Sequence, residues 1–145
     1  MARFAHASRS TVIGTADRSM LSLYGVTTVR ARVREVGVFN TTATPLMVSL
    51  VRMTTATNAG TGLAETAEDD TAQSALATIL AGHTGAGGVG GTLRVASLAG
   101  AVGSGVIWTF GGNGLVIPNA TADGIGLITP TGTGQLCDCY YVWDE

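Results

Sequence analysis

The feature that most constrains this chain is a succession of short apolar segments, each closed by glycine, proline, asparagine or threonine. Leu46 to Met53, Thr92 to Leu98, Gly105 to Phe110, Gly114 to Ile117, Gly124 to Thr129 and Gln135 to Trp143 all have strand length and turn-forming borders. A spacing of about 8–12 residues between such segments is the pattern of an all-β sandwich or barrel. Strands this short satisfy their backbone groups by pairing with one another, so the class follows from the punctuation.

Finer patterns give the segments faces. Val29, Ala31 and Val33 alternate with Arg30, Arg32 and Arg34, as in a strand with one buried and one open face. The phase slips at Glu35-Val36-Gly37-Val38, which predicts a β-bulge or a crossing between sheets. Asn40 to Pro45 reads as a turn, and Leu46 to Met53 is apolar on both parities except at Ser49 and Arg52, as expected of a central strand. The segments flanking that turn are expected to form a hairpin or adjacent strands.

One stretch departs from period two. Ala72, Ala75, Leu76, Ile79 and Leu80 fall at helical spacing behind Glu65, Glu68, Asp69 and Asp70, where the positive end of a helix dipole favours carboxylates. A short inserted helix is therefore expected. Residues 1–18 carry Arg3, Phe4, His6, Arg9, Val12, Ile13 and Arg18 without a sustained period, which reads as an extended N-terminal arm with at most one short strand, ahead of one domain over 19–145. The expected fold is a jelly-roll-like β-sandwich of about eight strands with one short helix and the arm.

At 145 residues a single domain buries about 68–70% of its unfolded surface and needs no covalent staple. Charged residues make up 12% of the chain, against about 25% in ordinary domains. The net charge is −2, so much of the surface is suited to being covered by neighbours. All eight basic residues are arginine, which excludes a lysine Schiff base or a P-loop lysine. There is no run of roughly 20 apolar residues, and His6, Arg9 and Asp17 stand where a secretory signal is apolar. A soluble, non-exported chain without membrane contact is expected.

Chemical motifs fail on context. Gly85-x-Gly87-x-x-Gly90 matches a dinucleotide fingerprint only as a string, because it lacks the preceding strand, the following helix and the acid about 20 residues on. The acidic cluster lacks the alternating spacing of a calcium loop. Cys137 and Cys139 share one face of a strand, at a separation that an intrastrand bridge would strain, and are too few for a tetrahedral metal, so they read as buried free thiols. His6 and His83 sit in an arm and a loop, and no nucleophile elbow is present. Neither an enzymatic role nor a cofactor is expected; converging carboxylates in a cleft would revive a small hydrolase. The slightly acidic balance argues against nucleic acid as a partner.

The runs Arg34-Glu-Val-Gly-Val-Phe-Asn-Thr-Thr-Ala-Thr44, Val102-Gly-Ser-Gly-Val-Ile-Trp-Thr-Phe110, Gly114-Leu-Val-Ile-Pro118, Pro130-Thr-Gly-Thr-Gly134 and Tyr140-Tyr-Val-Trp-Asp-Glu145 resemble small virion proteins of tailed bacteriophages. That resemblance implies a head decoration, or cement, protein: a homotrimer bound to the major capsid protein on the capsid exterior, assembled in the host cytoplasm. Arg3, Phe4, Arg9 and Arg18 of the arm are the expected shell contacts, with Arg30, Arg32 and Arg34 as a second stripe. The alternative expectation is a carbohydrate- or receptor-binding sandwich of a virion tail or fibre, which would need an exposed aromatic beside polar groups.

Overall fold

Period-two alternation decides which side chains turn inward. In the last strand Cys137, Cys139, Tyr141 and Trp143 are buried while Asp138, Tyr140 and Val142 stay partly open. A computed structural model of the chain describes residues 1–10, 18–55, 60–69, 71–85, 87–130 and 135–145. It contains, among these residues, twelve strands and no helix. They are β1 (Arg3–Arg9), β2 (Ser19–Tyr24), β3 (Arg32–Asn40), β4 (Leu46–Met53), β5 (Thr61–Gly62), β6 (Thr66–Ala67), β7 (Thr78–Ala81), β8 (Val89–Leu98), β9 (Gly105–Thr109), β10 (Leu115–Val116), β11 (Gly124–Ile128) and β12 (Cys137–Asp144).

The strands form two wholly antiparallel sheets packed as a sandwich. Sheet A runs β10-β3-β12-β1-β6, with β9 on the same edge of β3 as β10; sheet B runs β5-β7-β2-β11-β4-β8. The long strands pair in a nested order: β4 with β8, β3 with β9, β2 with β11 and β1 with β12. Successive pairs alternate between the sheets, so the chain crosses the sandwich at each step.

Leu21, Leu23, Val48, Leu50, Ile125 and Leu127 of sheet B meet Val33, Val36, Val38, Tyr141 and Trp143 of sheet A in the main core. Each such side chain contributes about 1.5–3 kcal/mol when fully buried. Phe4 packs on Trp143 with ring centroids 5.9 Å apart, and the Tyr141 hydroxyl crosses between sheets to donate to the Leu21 carbonyl at 3.1 Å. A second cluster of Tyr24, Val51, Met53 and Ile128, with Leu80 against it, covers the outer side of sheet B. Strand β4 is thus buried on both faces, as its two-parity apolar pattern requires.

Three expectations change. Residues 3–9 are no arm: they form β1, paired along their whole length with β12 and at one end with β6, because Phe4 belongs to the core. Residues 11–17 of the expected arm lie outside the described ones. The inserted helix is absent. Carboxylates from elsewhere take the amides that would open it: Glu65 accepts from Ala75, while Glu145 accepts from Leu76 and Ala77 and also from the Trp143 indole. Asp69 closes a local turn on Thr71, Asp70 lies outside the described residues, and Ile79 and Leu80 alternate between the two clusters as β7. The hairpin expected across Asn40 to Pro45 is a sheet crossing, with β3 in sheet A and β4 in sheet B. Buried Asn40 holds that corner, donating to the Thr44 and Ala99 carbonyls and accepting from the Thr42 amide.

Candidate functional site

Two solvent-facing surfaces differ sharply in chemistry, and the outer face of sheet A is the first. Strands β1, β12 and β3 lie side by side there, so cross-strand neighbours meet in rows. At one end Asp144 accepts from Arg3 Nε at 2.8 Å and from Arg34 Nε at 2.5 Å, bridging three strands. Burial works against ionisation of Asp144, but the hydrogen bonds and charges of Arg3 and Arg34 outweigh it and hold its pKa below the ordinary carboxylate range. Arg34 reaches this position because it is the extra residue of a bulge: Val142 pairs with Glu35 and Trp143 with Val33. The phase slip in the sequence marks that bulge, one residue before the slip itself.

At the other end Arg9 grips Asp138 with two bonds of 2.7 and 2.9 Å. The Arg9 hydrogen bond depresses the Asp138 pKa in turn. Between the two ends lies an aromatic surface. A Cβ built on Gly37 would run into the Tyr140 ring, and one on Gly105 into the Phe39 ring, so each ring lies against the sheet over a glycine. The planes differ by 16° and the centroids are 6.5 Å apart. The Tyr140 hydroxyl donates to Glu35 Oε1 at 2.5 Å, and burial together with that carboxylate pushes its pKa up to about 12. Ala7, Ser8, Arg9, Phe39, Asp138 and Tyr140 border a shallow groove of about 250 Å³.

The second surface is the flank formed by β8 and β9. Strand β8 ends sheet B, and among the described residues no strand pairs with its outer edge. Val89, Val95 and Val102 are exposed here, Val95 to 55% and Val102 to 75%, whereas Ile107, opposite Gly37, is 50% exposed on the outer face of sheet A. Leu93 and Ala96 of β8, with Val106, Trp108 and Phe110, are only partly buried, so the core reaches solvent along this side. From residue 71 to residue 122 the sequence holds a single charged side chain, Arg94, whose guanidinium lies 5.5 Å from the centre of the Phe110 ring.

Of the arginines expected at an interface, Arg3, Arg9, Arg32 and Arg34 share the outer face of sheet A, where Arg32 donates to the Asn113 carbonyl. Arg30 is exposed just before β3. Arg18 is partly buried before β2, its Nε enclosed without a hydrogen-bond partner among the described residues. Phe4, expected to contact the shell, is 3% exposed and points into the core instead. Sequence reasoning missed Asp138, Tyr140 and Asp144; the strict alternation through Cys137–Asp144 was the signal that puts them opposite the buried side chains.

Other reactive groups are enclosed. Cys137 and Cys139 are buried and unpaired, and burial raises the Cys137 thiol to about 11, far from a reactive thiolate. Ser22 Oγ and His83 Nε2 lie 2.8 Å apart, and both residues are buried. The chain matches no protein-family model, no curated protein and no solved structure.

Proposed function

We propose that this protein is a non-catalytic structural subunit of a virion, a jelly-roll decoration protein that binds its own copies and the major capsid protein on the outside of the head. The nested strand pairing supports the jelly-roll reading. A single ribbon of eight antiparallel strands, folded over itself, brings first to last and second to seventh, which is how β1 meets β12 and β2 meets β11. The short strands β5, β6, β7 and β10 are additions to that ribbon.

The observation that carries the function is the flank. An open strand edge beside exposed valines and a partly uncovered core is an aggregation hazard on a lone subunit and a good interface centre in an assembly. The contact surface therefore moves from the expected arm to β8 and β9, since Arg3 and Arg9 are ion-paired within sheet A. A head-to-tail contact that closes after three copies would cover every flank in a homotrimer. Many identical sites on a shell would then turn modest contacts into firm attachment.

The test is absolute mass by light scattering, paired with co-sedimentation against capsids lacking decoration. A trimer of the 14.7 kDa chain that travels with the shells is expected. A monomer that ignores the shells overturns the reading.

A further inference from the structure

We infer that the outer face of sheet A is a saccharide-binding platform for the apolar ring faces of neutral glycans, centred on Phe39 and Tyr140. This face is separate from the β8 edge, so the inference does not depend on the assembly reading above.

The geometry of the rings carries the argument. Nearly parallel planes with centroids 6.5 Å apart are too widely spaced for a face-to-face stack, and each ring covers the glycine of the next strand. The two rings are therefore tiled side by side over the sheet, each partly exposed. A pyranose presents a flat C–H face that stacks on such a ring and a rim of hydroxyls that both donate and accept.

The platform supplies both partners for that rim. Arg9 and Asp138 stand in the same cross-strand row as Phe39, since Arg9 pairs with Asp138 and Asp138 with Phe39. Their side chains are 61% and 48% exposed, so a planar donor–acceptor pair borders one ring. Glu35 and the Tyr140 hydroxyl form a second such pair at the next ring. Beyond Gly37, half-exposed Ile107 prolongs the apolar surface, while Ala7 beside Tyr140 keeps the wall low.

Charge selects among stacking ligands. At the rings themselves the rim joins one guanidinium to the two carboxylates of Asp138 and Glu35, and at the far end Arg3 and Arg34 are paired with Asp144, so the phosphates of a single-stranded nucleic acid meet little net positive charge beside the stacking surface. A neutral glycan meets no such cost. A shallow groove of about 250 Å³ accepts only a short stretch of such a chain, so affinity per site is modest and gains from repetition on an assembly.

The experiment is electrophoresis of the full chain in native gels cast with amylopectin, mixed-linkage β-glucan, xylan or galactomannan, followed by calorimetric titration with the hexasaccharide of whichever polymer retards it. Retardation by at least one polymer is expected. Phe39→Ala and Arg9→Gln should each weaken binding roughly tenfold and Tyr140→Phe severalfold, while Val95→Lys should leave the per-site affinity read by calorimetry unchanged. Phe39→Ala and Arg9→Gln are first checked for wild-type thermal unfolding; if Phe39→Ala is unfolded, Arg9→Gln and Tyr140→Phe decide. Failure of every polymer to retard the wild-type chain overturns the inference, as does retardation that these substitutions leave intact. Capture of a protein partner on this face with no saccharide bound overturns it as well. A chain that assembles but binds no saccharide refutes this inference alone.

Discussion

The outer face of sheet A and the β8–β9 flank belong to one sandwich and both face solvent, yet they handle polarity in opposite ways. The first gathers Arg3, Arg9, Arg34, Glu35, Asp138 and Asp144 and pairs nearly all of them with one another or with a tyrosine. The second has Arg94 alone in its stretch of sequence, and that cation rests on Phe110. The low charge of the whole chain is thus an average over two unlike surfaces. One is self-satisfied and shaped for a ligand with its own polar rim; the other leaves apolar side chains and backbone edge groups for something else to cover.

The comparison breaks most easily at the flank. Val95→Lys puts a charge where a neighbour should pack, and self-association should weaken at least tenfold, in line with the ~1.5 kcal/mol that burying a valine contributes. The monomer's own stability should move by less than about 0.5 kcal/mol, because Val95 is exposed within the subunit. Sedimentation velocity together with urea unfolding reads both quantities, and an unchanged association constant removes the flank from the interface.

Next in size is Asp144→Asn, which leaves Arg3 and Arg34 facing a neutral amide. Thermal unfolding at pH 7 should fall by about 5 °C. Because the folded pKa of Asp144 lies below its unfolded value, its contribution is present above the ordinary carboxylate range and is lost as pH falls through the depressed value. The gap between wild type and variant should therefore close below about pH 4. A gap independent of pH would mean that the carboxylate charge is not what holds the three strands together.

Gly37→Ala sharpens the contrast from the other side, since its methyl would lift the Tyr140 ring off the sheet. A destabilisation of about 1–2 kcal/mol in urea unfolding is expected, with retarded migration in polysaccharide gels reduced in parallel. Smallest is Arg94→Ala, where loss of an exposed cation–π contact should cost about 0.5 kcal/mol and leave glycan binding untouched.

Strand positions were largely legible because the signal is local. Leu46 to Met53 is β4, and Gly124 to Thr129 and Gln135 to Trp143 contain β11 and most of β12, since turn residues end strands wherever they occur. Strand β1 was legible only as a short strand of an arm, not as a member of the sandwich, because its apolar signal is thin: Phe4 is its one large apolar side chain, among alanines, a histidine, a serine and two arginines. The segment at Ala75 to Leu80 misled for a different reason. Apolar residues three and four apart fit a helix, but Ile79 and Leu80 are adjacent and serve two separate clusters on either side of a strand.

By itself, then, the sequence determined the all-β class, most strand positions, and the inward and outward alternation of Arg32, Val33 and the Cys137–Asp144 run. It also determined that any cationic contact is made by arginine. Only the tertiary structure decided that Arg3 meets Asp144 and Arg9 meets Asp138, partners 141 and 129 residues apart, and that β8 is left as an edge. Such pairings follow from the register of a whole sheet. Register is set when distant strands pack their inner faces against one core, and no local pattern of residues contains that information.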